Sequence, residues 1–399
     1  MHLTPHWITI IPGLVIVISP HSLPAAHING RPVAQAAEAA DTTTYPQFSR
    51  VVLLENTSET SANVSIGDLN ADGNLDIVLA KGRHWPLVNR VLFGDGRGGF
   101  PLAHDLGEAS DRSYSGRLVD IDGDGDLDVV ISNDSPDPKR VYLNDGKGNF
   151  HEWSTYGRPE WPTRNASVAD LNGDGLPDII VANRGGPNYI CLNKGKGQFD
   201  GDCIAFTNES ATTITAADFD RDGVIDLVAP HRDGGQSHVY LNDGNAGFSD
   251  VKRIPFGPPI ATIRMAEPAD LDGDGLLDIV VIDQQQGVSV YFGQSDSTFS
   301  PGVAIGDPSI VPYALAVGDL NLDGTIDIVV GHVEAASTVY FNDGSGRHFT
   351  PVQFGDNQGT AYGFAIADLD QDGRPDIAVA RSGAPNAVYL AVPPSPEGR

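Results

Sequence analysis

Basic residues are scarce in this chain: 25 Lys and Arg stand against 53 Asp and Glu, a formal net charge of −28. A field of that sign repels a phosphate backbone, so nucleic acid is not expected as a partner. Extended apolar runs are scarce too. The run WITIIPGLVIVI at 7–18 is about 12 residues long, short for a bilayer span, and reads as the h-region of an export signal. Residues 1–40 are therefore expected to be a signal peptide and disordered leader, cleaved within the Ala-rich stretch 25–40, and no stable membrane span is expected in the mature, secreted chain. Methionine occurs only 2 times, whereas Gly reaches 46 and Pro 28, which favours tight turns and short strands over long helices. With 2 cysteines, one bridge at most is available. Cys191 and Cys203 flank a predicted hairpin turn at 194–197, where a cross-strand disulfide and a pair of buried thiols both fit. Neither G-x-S-x-G nor H-E-x-x-H occurs, so no motif specifies a nucleophile or a catalytic zinc.

What the sequence does have is a repeat. The pattern D-x-[DN]-x-D-G-x-x-D begins at Asp68, Asp120, Asp170, Asp218, Asp270, Asp319 and Asp368, at intervals of about 50 residues. Each copy runs into a short β-branched stretch, such as IVLA after Asp76 or IIVA after Asp178, with no helical period; these are strands covered on both faces. A second strand follows and ends in a Gly-rich turn, as in VYLNDGKGNF at 141–150 and VYLNDGNAGF at 239–248. A third strand opens at the next Phe, and a fourth leads into the following loop. Four antiparallel strands per repeat predict a propeller blade. The predicted fold is all-β: a seven-bladed β-propeller of four-stranded antiparallel blades over 45–393, with a short tail at 394–399. Phe48 lies about twenty residues before Asp68, as Phe100, Phe150, Phe199, Phe248, Phe299 and Phe349 do before later loops, yet no blade precedes it. The seventh repeat also stops after its third strand. The N-terminal strand near Phe48 is therefore expected to complete the last blade and close the ring.

Each loop supplies oxygen at positions 1, 3, 5 and 9, and Gly at position 6 allows the chain to wrap an ion. The ligand sets are Asp68, Asn70, Asp72 and Asp76; Asp120, Asp122, Asp124 and Asp128; Asp170, Asn172, Asp174 and Asp178; Asp218, Asp220, Asp222 and Asp226; Asp270, Asp272, Asp274 and Asp278; Asp319, Asn321, Asp323 and Asp327; Asp368, Asp370, Asp372 and Asp376. Carboxylates converging on one turn repel unless a cation neutralises them, and an all-oxygen cage suits Ca2+ better than Mg2+. About seven structural calcium ions are expected. An EF-hand would need a Glu at position 12, where this chain has Leu79, Val181 or Val330.

With seven such loops in seven evenly spaced repeats, residues 45–393 resemble the FG-GAP/VCBS repeats of bacterial secreted proteins and of the integrin α-subunit head. The resemblance implies a seven-bladed propeller with calcium in the loop joining the first and second strands of each blade. It also raises protein adhesion as a function, although only a short tail follows the last repeat here.

A partner is expected at the opposite end of the blades. Five residues after the last Asp of each loop come Lys81, Asn133, Asn183, His231, Asp283, His332 and Arg381; six before the first Asp come Ala62, Tyr114, Arg164, Thr212, Arg264, Tyr313 and Tyr362. Together they predict one rim of basic, aromatic and amide groups, with His84, Arg184 and Arg232 nearby. Such a rim suits sugars or carboxylated glycans. The expected function is an extracellular binding module, monomeric, for a glycan ahead of a protein. The alternatives are protein adhesion and a polysaccharide lyase or hydrolase using the His, Tyr and Arg groups of the rim.

Overall fold

The computed structural model describes residues 44–199, 201–248 and 251–394, so the expected leader at 1–40 and most of the expected tail lie outside the described residues. Among the described residues, twenty-eight strands form seven separate four-stranded antiparallel sheets. Among the described residues no helix is long and apolar enough to cross a membrane. Blade 1 is built from Ser61–Gly67, Asp76–Lys81, Leu87–Phe93 and Leu102–Asp111, in that order from the axis outward, and blades 2 to 6 repeat the order. Blade 7 takes its first three strands from Thr360–Ala367, Asp376–Ser382 and Ala387–Val392, and its outermost from Gln47–Leu53. Val51 pairs with Tyr389 and Val52 with Val388. The N-terminal strand thus closes the ring, and Phe48, 4% exposed, packs against Phe354 in the core it completes.

Among the described residues the apolar interior is divided into seven cores, each wedged between neighbouring blades. Val78, Val91 and Phe93 of blade 1 meet Val129, Ile131 and Tyr142 of blade 2, for example. Val329, Val339 and Phe341 of blade 6 meet Val379 and Tyr389 of blade 7. The second strand of each blade lies in the middle of this packing, which explains its β-branched run; Asp128–Asn133 and Asp178–Asn183 are buried at every residue. Because each core belongs to two blades, no blade can bury its faces alone, and the ring is stable only as a whole.

Polar side chains stitch the seams at the aspartate-loop end. The Asn that opens the hairpin turn donates Nδ2–H to the preceding blade: Asn144 to Leu69 O (2.8 Å), Asn193 to Ile121 O (2.9 Å), Asn242 to Leu171 O (2.8 Å) and Asn342 to Leu271 O (2.8 Å). At the closing seam Gln371 reaches Gly73 O (3.2 Å) instead.

One irregularity recurs at the opposite end. In six blades the innermost strand carries a β-bulge near its start. Ser61 pairs with Lys81 and Asn63 with Ala80, leaving Ala62 unopposed. The same shift isolates Tyr114, Arg164, Arg264, Tyr313 and Tyr362. A bulge re-aims the extra side chain, and here it turns that residue toward the propeller axis.

Candidate functional site

Two sites emerge, one at each end of the blades. At the aspartate-loop end, the position-1 carboxylate accepts the N–H of the position-6 glycine in every loop, as from Gly73 to Asp68 (3.0 Å) and from Gly275 to Asp270 (2.8 Å). That glycine sits at φ 84° in the first loop and 80° in the fifth, the left-handed region open to Gly. The position-5 carboxylate accepts the N–H of position 7, as in Leu276 to Asp274 (2.8 Å). The position-9 aspartate is buried and clamps the loop to the third strand. Asp278 accepts N–H groups from Leu271 (2.9 Å) and Gly293 (2.9 Å). Burial pushes its carboxyl up to about 6; the two backbone donors oppose that, and Asp272 and Asp274 add to it. Asp128 and Asp327 are pushed up to about 7 in the same way.

In the four loops with Asp at position 3, positions 1, 3 and 9 bring carboxylate oxygens within 4.8 Å of one another: Asp120, Asp122 and Asp128; Asp218, Asp220 and Asp226; Asp270, Asp272 and Asp278; Asp368, Asp370 and Asp376. Position 5 is not in these groups. In the other three loops Asn70, Asn172 and Asn321 donate to the position-5 carboxylates at 3.1, 3.0 and 2.8 Å. Asp218, Asp272 and Asp370 each keep one buried oxygen, Oδ1, without a hydrogen-bond partner. The outer oxygens of the latter two bind Arg347 (3.1 Å) and Arg50 (2.9 Å). Crowded, buried carboxylates with orphaned oxygens fit a cation held by oxygen ligands. Several of these clusters could therefore hold a metal ion.

At the other end a cavity of about 390 Å³ lies on the axis. All seven residues six before a first Asp line it: Ala62, Tyr114, Arg164, Thr212, Arg264, Tyr313 and Tyr362. The second expected set does not reach it. Lys81, Asn133, Asn183, Asp283, His332 and Arg381 are 0–4% exposed, and the His231 side chain also stays outside the cavity. The expectation of one shared rim is corrected here, and the bulge is the reason. It inserts the cavity residue, while the partner strand turns its end residue into the blade. There the side chains tie down the next turn. Asn183 donates to Pro187 O (2.7 Å), Arg381 to Pro385 O (2.6 Å) and Asp356 (2.6 Å), and His332 Nδ1 meets Ala336 O (2.7 Å). Lys81 pairs with Glu59 (2.7 Å) and Glu55, and Asp283 accepts from Thr262 and Gln285.

Sequence reasoning missed Arg83, Arg117 and Glu267 in the cavity lining, while His84, Arg184 and Arg232 join it from the neighbourhood noted. Arg264 stacks over Tyr313 at 3.6 Å, Arg83 over Tyr362 at 3.6 Å and Arg164 over Tyr114 at 4.4 Å. Tyr362 donates to the Tyr313 hydroxyl at 3.3 Å. Burial alone would raise the Tyr313 phenol. The Arg264 guanidinium, the Tyr362 hydroxyl and the Arg83 and Arg232 charges together bring it below its ordinary value. Burial brings Arg264 down to about 10 and pushes Glu267 up to about 7, the latter opposed by Arg117.

Among solved structures, this fold is similar to an Agrocybe aegerita lectin described as recognising non-reducing terminal N-acetylglucosamine, with TM-score 0.54 and 22% identity over 82% of this chain and 86% of that one. It is also similar to BBS1N crystallised with ARL6DN, with TM-score 0.57 and 11% identity over 89% of this chain and 98% of that one. Both likenesses concern the fold. Cartilage acidic protein 1 of Xenopus tropicalis is 32% identical over 108 residues, 24% of this chain, and the chain spans only 16% of that relative's length. The FG-GAP-like repeat profile matches six times, at 68–131, 120–181, 170–229, 218–281, 270–330 and 319–379. Each match opens on a position-1 aspartate and reaches into the next blade's second strand, so the chain belongs to the FG-GAP-like repeat family, and its seven-bladed propeller fits a binding module.

Proposed function

We propose that this protein is an exported, calcium-stabilised propeller that binds an extracellular glycan in the axial cavity opposite the aspartate loops. The cavity lining carries this reading: guanidinium, phenol and amide groups converge on one concave site of about 390 Å³, within the size range of small-ligand pockets. That a lectin has a similar fold makes a sugar ligand compatible with the scaffold. For the loops, calcium is the cation whose size and tolerance of irregular oxygen cages match the donor set. Export follows from the apolar run at 7–18.

Glycan-array binding in calcium buffer tests the reading, with Arg264→Ala and Tyr313→Ala as variants. Binding of a sugar by the unaltered protein that both variants lose supports it; saturable binding of a purified protein partner with no sugar signal replaces it with adhesion. One observation favours a second reading. Tyr313 lines the cavity under the Arg264 guanidinium and accepts from the Tyr362 hydroxyl, and with the Arg83 and Arg232 charges these hold its phenol below the usual range, which has the character of a general base for elimination at a uronate. New unsaturated ends on a uronate polysaccharide would establish that reaction.

A further inference from the structure

Among the described residues, six guanidiniums line the axial cavity, from Arg83, Arg117, Arg164, Arg184, Arg232 and Arg264, and a single carboxylate, Glu267, lines it with them. In a chain with 25 basic and 53 acidic residues this is a marked concentration of one charge. Two of the six are partly neutralised, Arg164 by Asp134 at 2.5 Å and Arg184 by Asp233 at 3.7 Å. Arg83, Arg117, Arg232 and Arg264 form no ion pair among the described residues. Their hydrogen bonds go to neutral groups instead: Arg117 Nε to Ala166 O (3.0 Å), Arg232 Nη2 to the Gln284 side chain (2.9 Å), Arg264 Nε to Tyr313 O (2.9 Å) and Arg83 Nη1 to Ser382 Oγ (3.5 Å). Arg83 Nε is buried with no partner at all.

The way these groups are held matters as much as their number. Arg83 and Arg264 rest their flat faces on Tyr362 and Tyr313, and Arg264 is pinned through Nε. Stacking uses the face of a guanidinium and spares its N–H edge; pinning Nε leaves both terminal nitrogens to donate. Like charges held close in a desolvated cavity repel, and burial lowers the proton affinity of Arg117 and Arg264. An entering oxyanion relieves that repulsion and meets preset two-point donors.

We propose that the axial cavity is a receptor for an oxyanion carried on a carbohydrate, seated on the N–H edges of Arg83, Arg117, Arg232 and Arg264. This inference deepens the glycan reading above and rests on it. The acidic exterior favours a short chain end over a long polyanion, because only the cavity offers compensating charge. Carboxylate and sulfate share this chemistry. Trp85, which follows the lining residues Arg83 and His84 in sequence and is 69% exposed, offers an aromatic face for the attached sugar.

Titration calorimetry in calcium buffer tests the proposal with four probes: a glucuronate-terminated trisaccharide, its carboxyl-reduced glucose counterpart, the 6-sulfated sugar and inorganic sulfate. The charged sugars are expected to bind roughly 10- to 100-fold more tightly than the neutral one. Arg264→Gln should abolish most of that preference, with Arg264→Lys restoring part of it, and circular dichroism with thermal melting confirms that each variant is folded. The relative affinities of the uronate and sulfate probes name the natural anion. Equal binding of charged and neutral sugars overturns the anion inference and leaves the glycan reading standing. Binding of inorganic sulfate with no gain from the sugar, or no binding of any probe, overturns both.

Discussion

The two ends of this ring are built from the same blades and carry opposite charge for opposite reasons. At one end, carboxylates are gathered by regular turns, repeat after repeat, so each loop resembles the next. At the other, guanidiniums and phenols arise from different blades, with Arg164 and Arg264 at positions where Tyr114, Tyr313 and Tyr362 stand elsewhere. Repetition at the first end is what a scaffold requires, since every seam needs its own clamp. Departure from repetition at the second end is what recognition requires, since one ligand on the axis meets seven different faces. A net charge of −28 describes neither end. Positions 1, 5 and 9 of every loop are acidic, position 3 is acidic in four of them and the second loop adds Asp126, so the loops hold nearly half of the 53.

The comparison can be broken most directly at the acidic end. Excess EDTA should lower the melting temperature strongly, because each ion held at about 1,000 times its dissociation constant adds roughly 4 kcal/mol. Scanning calorimetry with and without calcium reads this, and an unchanged melt would remove the scaffold role of the loops. Asp278→Asn should behave in the same direction with less force. It replaces an acceptor of two backbone N–H groups by an amide with one acceptor oxygen, at a cost of about 1–3 kcal/mol, and leaves cavity binding intact. Arg264→Gln should show the reverse, losing ligand affinity while stability moves by about 1 kcal/mol, the worth of its bond to Tyr313 O.

A finer test uses pH. Burial holds the Glu267 carboxyl up at about 7, with Arg117 opposing, so lowering the pH from 8 to 6.5 protonates it. Its folded value lies above the ordinary one, so stability falls as the pH rises from that ordinary value to about 7, the window in which folding takes up a proton. Loss of that negative charge should strengthen anion binding severalfold at the lower pH, and Glu267→Gln should flatten the profile. Burial and the Arg83 and Arg164 charges lower the affinity of His84 for protons, which opposes its charging in this window. The smallest effect concerns Leu322, which occupies a position-4 site at φ 61° and is 58% exposed. Leu322→Asn should stabilise the sixth loop by up to about 1 kcal/mol, since Asn tolerates the left-handed region.

Much of this was legible in the sequence. The number of aspartate loops sets the blade count, and the stray Phe48 points to the closing strand, because both depend on local patterns repeated along the chain. The cavity was half legible. Tyr313 and Arg264 could be placed near the axis by counting back from the loop. Arg117 and Glu267 could not, since their shared environment is created by ring closure across 150 residues. Counting forward from the loop led to Lys81 and His332, which are absorbed into the blade, because alternation along a strand does not register a bulge. The arginines are individually unremarkable in sequence; what sets Arg83 apart is its tyrosine partner, contributed by blade 7.

The pairing of Gln47–Leu53 with Ala387–Val392 also sets a calendar for assembly. The outermost strand of the last blade leaves the ribosome first, and its partner emerges more than 300 residues later. Until then one edge of the growing stack has no neighbour, and the axial chamber has a gap in its wall. Nearly complete chains would thus share a sticky margin that the finished molecule hides, and dilution or a holdase should improve yield more than any change to the blades themselves.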